Sequence, residues 1–254
     1  MNTQPKFNIY LTQEDLRKLL RFLIYLEVFF VLMYLLAFII APDFPWGPIN
    51  NFFDFDEDDW SIPSWFASIQ YLFIGIPTFI SAMQSSVGKL KSKKILYSIV
   101  AVSMFLALDE AVGIHEQITV AAEKLDIQLL QSLSFGGHGA WISVYALLGM
   151  ILILFVYRDL PSFWAAYKKE GTYILAGGVL LGMGEVGFEI VGYLFLRTTT
   201  SGLLYDLEVA IEEFFALAGV SLILYGVLLL LMKIQNDDKN EGKILSNEEC
   251  WPKV

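Results

Sequence analysis

Six stretches of the chain are apolar, and polar or proline-containing segments separate them. They cover residues 19–41, 63–84, 95–119, 139–157, 172–196 and 203–232. Each is close to the roughly 20 residues that a helix needs to cross a hydrocarbon core. The pattern predicts an all-α fold, a polytopic membrane helix bundle of about six transmembrane helices, forming a single domain over residues 1–232. Thr12-Gln13-Glu14-Asp15 reads as a helix start with acids in its first turn. Arg17, Lys18 and Arg21 introduce the first stretch. That stretch is too long for a signal peptide and no A-x-A-like cleavage site comes after it, so it reads as a retained anchor. Residues 120–133 alternate apolar and polar positions at helical spacing, which predicts a short helix lying on the membrane surface. From Lys233 the chain is charged and without periodicity, which predicts a cytoplasmic, disordered tail over residues 233–254.

Composition agrees with a membrane solvent. Of 254 residues, 56% are hydrophobic and 17% charged, against about 25% charged in an average soluble domain. All but two of the 17 Lys and Arg residues fall on one side of the six-span topology, leaving Lys124 and Arg197 on the other. The positive-inside rule then places both termini in the cytoplasm and the chain in the cell (inner) membrane. A net charge of −10 argues against nucleic acid as a partner. The single cysteine, Cys250, excludes an intramolecular disulfide and a cysteine-rich metal cluster.

Against this apolar background the acids stand out. The third stretch carries Leu108-Asp109-Glu110-Ala111-Val112-Gly113-Ile114-His115-Glu116. The fifth carries Glu185 and Glu189, the sixth Glu208, Glu212 and Glu213, and His138 opens the fourth. In the six-span topology all of them fall in the outer half of the bundle. Seven residues make about two helical turns, so a continuous third helix sets Asp109 and Glu116 on one face and turns Glu110 and His115 away from it. The i, i+4 pairs Glu185/Glu189 and Glu208/Glu212 each share a face. Gly178, Gly182, Gly184, Gly187 and Ala210 stand beside them, and small residues let membrane helices approach closely.

So many carboxylates in a low dielectric need protons or cations to neutralise them. Carboxylates with two histidines form the ligand inventory of carboxylate-bridged di-iron or di-manganese bundles. The reading is therefore a divalent metal ion, iron favoured and manganese or zinc as options, held by Asp109, Glu110, His115, Glu116, His138, Glu185, Glu189, Glu208, Glu212 and Glu213. The spacing departs from the paired Glu-x-x-His pattern of such bundles. The implied function is a metal-dependent oxidoreductase or hydrolase acting on a lipid-like substrate among membrane lipids. A divalent-cation or proton-coupled transporter is the alternative, since intramembrane acids also form ion paths. The inner halves of the third to sixth stretches carry no acid or histidine, which favours a site over a path. Bis-histidine haem leaves the carboxylates unexplained, and an assembly subunit with a structural ion is a third reading.

Two acidic features lie outside this layer. Asp54, Asp56 and Asp58 imitate the start of an EF-hand loop, but Asp59 stands where Gly is needed and Trp65 where Glu is needed. That loop reads as a solvated segment with interfacial aromatics. Glu27 lies in the inner half of the first stretch, with Arg21 and Gln70 as candidate partners. The strings Leu108-Asp109-Glu110 and Ile114-His115-Glu116, with the acidic fifth and sixth stretches, resemble those of uncharacterised bacterial multi-pass membrane proteins. That resemblance implies a bacterial membrane setting and no particular activity.

Overall fold

A computed structural model describes residues 12–40, 52–55, 61–84, 92–125, 140–196 and 202–248. Among them every regular element is helical. The helices are α1 (Gln13–Leu35, running on as a π-helical turn Leu36–Ile40), α2 (Ile62–Met83), α3 (Lys94–Val112), α4 (Ile114–Lys124), α5 (Ala140–Val156), α6 (Leu160–Ala166), α7 (Lys168–Gly182) and α8 (Gly202–Glu248). Between α7 and α8 lie a π-helical segment Met183–Phe188, one helical turn Glu189–Val191 and a second π-helical segment Gly192–Leu196. Five helical runs are long and apolar enough to cross a membrane, and the pair α5–α6, bent by 72°, makes a sixth. The chain is an all-α bundle with the architecture of a multi-span membrane protein.

Local signals explain the helix starts. The Thr12 side chain accepts from the Asp15 N–H, and the Asp15 carboxylate accepts from the Thr12 N–H, closing a capping box on α1. Ser61 caps α2, with Pro63 in its first turn, where a missing N–H costs nothing.

Helix α8 is the hub, packed against α1, α2 and α7. The core between them contains Leu23, Phe30, Tyr71, Ile74, Leu217, Val220, Leu224 and Val227. The close contact with α8 depends on Gly184, which the sequence pattern singles out, and on Gly177 and Gly219, which it does not. A Cβ on Gly177 would lie 2.5 Å from the Gly219 carbonyl oxygen, and one on Gly219 would lie 2.5 Å from the Leu181 nitrogen. Gly184 repeats the arrangement one crossing further along, against the Ala216 backbone. By contrast Gly178 and Gly182, expected to pack, face open space, and a Cβ on Gly187 would touch only its own helix. Ala210 is buried, but against Tyr34 of α1.

The predicted tail departs from disorder. Helix α8 continues to Glu248 because its first turn beyond Met232 is still packed. Ile234 is fully buried against Leu96 and Tyr167, and Lys233 donates to the Ala166 carbonyl at 2.7 Å, satisfying the C-terminal end of α6. Lys233 belongs to a basic end of the bundle. There Lys93 donates to the Ala82 and Gln84 carbonyls and Lys94 lies over the Phe155 ring. Asp109 is about 22 Å away along α3, at the opposite end.

Glu27 pairs with α2 and α8, not with Arg21. Ser221 Oγ donates to Glu27 Oε1, and Gln70 Nε2 donates to Glu27 Oε1 at 3.3 Å and to Ser221 Oγ at 2.8 Å. Glu27 Oε2 and Gln70 Oε1 are buried without a hydrogen-bond partner among the described residues. This polar knot ties three spans. Gln70→Leu removes both amide bonds and is expected to lower stability by about 1–3 kcal/mol. Glu27→Gln adds a donor beside a lone acceptor and is expected to cost less. Thermal unfolding in detergent of the two variants checks the order.

Candidate functional site

The site begins with the end of α3. Gly113 adopts the left-handed conformation at φ 59° and ψ 47°, and its N–H donates to the Asp109 carbonyl at 2.7 Å. That turn stops the helix at Val112 and starts α4 in a new direction. The third span is therefore not continuous to residue 119, and the expectation that Asp109 and Glu116 share one helical face, with His115 turned away, is corrected. A single left-handed residue resets the register. His115 folds back on Asp109: its backbone N–H donates to Asp109 Oδ1 at 2.8 Å, and its Nδ1 lies 3.1 Å from the same oxygen. Asp109 is buried, with 5% of its surface exposed. In a neutral imidazole this contact puts the proton on Nδ1 and leaves Nε2 free to accept. Nε2 stands 3.8 Å from Glu116 Oε1. A carboxylate that fixes a histidine in this way is the usual support for a metal-ligating or proton-transferring imidazole.

This turn makes a specific demand on sequence. A residue with a Cβ at Gly113 pays roughly 1–2 kcal/mol for the left-handed conformation, and Asn pays least. Gly113→Ala is expected to lower stability by that amount and to loosen His115, with Gly113→Asn intermediate. Thermal unfolding, together with the His115 ring resonances, checks both.

Asp109, Glu110, His115 and Glu116 line a cavity of about 340 Å³. Glu185 and Glu189 reach it from the π-helical segment and the turn after it, and Glu212 and Glu213 from α8. Eight of the ten residues singled out in the sequence therefore surround one space. Widened π turns are common where a helix must turn a side chain into a site. Met183–Phe188 uses one to set Glu185 and Glu189 on the cavity, while Gly184 keeps that segment against the α8 backbone. No lysine or arginine stands among the lining residues.

The other two residues fare differently. Glu208 does not line the cavity. It is buried against Gly192 of the second π-helical segment, where a Cβ on the glycine would collide with its carboxylate. Glu208 and Glu212 stay one turn apart on the continuous helix α8, but Glu208 packs on the second π-helical segment of the neighbouring span instead of reaching the cavity. His138 lies outside the described residues, as do Asp56, Asp58 and Asp59 of the acidic loop.

Three cavity residues escape a reading of the sequence because they are aromatic residues of ordinary membrane-helix type. Trp141, at the start of α5, packs edge-on to His115 with ring centroids 5.5 Å apart. Tyr71 of α2 is buried at the cavity floor. Phe55, expected on a solvated loop, lines the cavity and packs on Tyr34 at 5.1 Å.

The donor types fit a hard or borderline divalent cation, since carboxylate and imidazole suit iron, manganese and zinc. Among the described residues no three of these side chains are already gathered into a metal shell. The cavity is an acid-walled space with one preset histidine. Residues 23–230 match the family described as "Domain of unknown function (DUF8692)", and the chain belongs to that family. No curated protein and no solved structure matches it.

Proposed function

We propose that this member of the family is a divalent-metal-dependent membrane enzyme, an oxidoreductase or hydrolase, that acts on a lipid-like substrate at the outer side of the cell membrane. One observation carries the reading. Eight acid and histidine side chains from separate helical segments surround a single cavity with no lysine or arginine among its described lining residues. Such a cavity demands positive charge. Glu185, Glu189, Glu212 and Glu213, with His115 Nε2, would hold the cation, iron favoured over manganese or zinc. Bound there, the metal would supply Lewis-acid polarisation of a substrate oxygen or activation of dioxygen. Asp109 holds the His115 ring in place, and Glu116 accepts or returns a proton beside it. Trp141 and Phe55 add apolar surface to the cavity wall. The basic end opposite the cavity supports the orientation, with the acids facing outward.

The test is elemental analysis of the detergent-purified protein. Iron, manganese or zinc is expected near one or two equivalents after exhaustive dialysis, and its absence after reconstitution with each metal overturns the reading. A second reading, a cation or proton transporter, gains support from the Glu27–Gln70–Ser221 knot. Gln70 and Ser221 neighbour the cavity-lining residues Tyr71 and Val220 in the chain, which brings this polar pair close to the cavity. Cation flux into liposomes, lost in Glu27→Leu, separates transport from catalysis.

A further inference from the structure

A second cavity, of about 310 Å³, lies beside the first. Its lining is almost wholly apolar and comes from α2, α3, α5, α7 and α8. The two adjoin at Tyr71, which lines both. On α3 and along the fifth span the apolar lining comes within about one turn of the acids. Leu106 precedes Glu110 by four residues, and Leu181 precedes Glu185 by four. The pocket runs along α3 from Ile95 to Leu106. That is about 16 Å, roughly half of a hydrocarbon core of about 30 Å.

The space is open on its membrane side. Helix α5 rests on α3 and α4, and the rim of the cavity runs between α5 and α7, which both line it. Gly178 stands on that rim, exposed, with nothing within 4 Å of an added Cβ. An apolar space of this size does not hold water, which needs polar partners, and the solvent at its mouth is acyl chains. Its volume is at the lower end of the about 300–1,000 Å³ typical of small-molecule sites.

We infer that this cavity takes the single acyl or alkyl chain of a membrane amphiphile whose head lies in the acid cavity, entering sideways past Gly178. The head is cationic or neutral, an amine or hydroxyl, because seven carboxylates outnumber the charge of one or two divalent cations and no lysine or arginine among the described lining residues would pair with a phosphate. This deepens the enzyme reading and rests on it for the role of the head. The chain pocket stands on its own geometry.

The experiment uses the full-length protein in phosphatidylcholine nanodiscs with a diazirine-bearing hexadecylamine, the matching hexadecanol and hexadecyl phosphate as photoprobes. Adducts mapped by mass spectrometry are expected on Ile99, Leu106, Ile174 and Leu181 with the amine and the alcohol, and at least tenfold fewer with the phosphate. Gly178→Phe fills the mouth and is expected to cut these adducts at least tenfold, with bound metal unchanged. Gly178→Leu is the milder filling variant, should the larger ring prevent folding. Adducts spread evenly onto outward-facing residues such as Leu147 and Ile151, or unaltered by both variants, overturn the chain pocket. Equal labelling by the phosphate overturns the assignment of the head. Metal retention without pocket labelling sinks this inference alone. Pocket labelling without metal in the wild type leaves the chain site standing and sinks the metal reading.

Discussion

Replacing Glu185 and Glu212 together by glutamine is expected to reduce retained metal at least tenfold, to background, while Glu208→Gln leaves it unchanged. The two glutamates reach the cavity from different spans, so the pair probes the convergence rather than one helix. Glutamine keeps size and hydrogen bonding and removes the charge that draws a cation. Glu208 is the matched control. It has the same chemistry on the same helix as Glu212, yet it packs against Gly192, away from the cavity. Loss of metal in Glu208→Gln, or full retention in the double variant, contradicts the placement of the site. Metal content and thermal unfolding measured on the same preparations separate a lost ligand from a lost fold.

The second large effect is structural. Gly184→Ala puts a Cβ 2.6 Å from the Ala216 nitrogen and 2.8 Å from the Glu212 carbonyl oxygen, both backbone atoms that cannot rotate away. The fifth and sixth spans must separate at the level where Glu185 faces Glu212. Overpacking of this kind costs about 1–3 kcal/mol, and the shift also widens the cation site. Gly182→Ala is the contrast. Its Cβ meets nothing, and alanine is the better helix former by about 1 kcal/mol. Thermal unfolding is expected to show a clear drop for Gly184→Ala and none for Gly182→Ala. Metal affinity is expected to fall only in the former. Equal behaviour of the two removes the close crossing as the device that assembles the site.

These contrasts show where reading the chain in one dimension succeeds. The number of spans, the all-helical class and the shared depth of the acids come from long apolar runs and from charges placed within them. Burying a polar backbone in lipid leaves few options but helices, and a helix rises by a constant amount per residue. The grouping of Asp109, Glu110, His115, Glu116, Glu185, Glu189, Glu212 and Glu213 around one cavity obeys the same depth argument. Facing is less legible. It rests on an unbroken period of 3.6 residues, and this chain breaks that period at Gly113 and in three π-helical segments among the described residues. The break at Gly113 brings His115 back onto Asp109, and the second π-helical segment sets Gly192 against Glu208. Glycine choice is illegible for a related reason. Whether a glycine marks a crossing depends on which helix lies opposite, so proximity to the acids points to Gly178, Gly182 and Gly184, whereas the crossing uses Gly184 together with Gly177 and Gly219.

The amino-acid order alone fixes a membrane solvent, the helical class and the layer in which the ionisable groups lie, because burial cost and rise per residue are local quantities. The direction each acid faces, the Asp109–His115 pair, the Glu27 knot and the apolar cavity beside the acids depend on how the helices cross. Those crossings come from close contacts between residues far apart in the chain, and no local pattern records them.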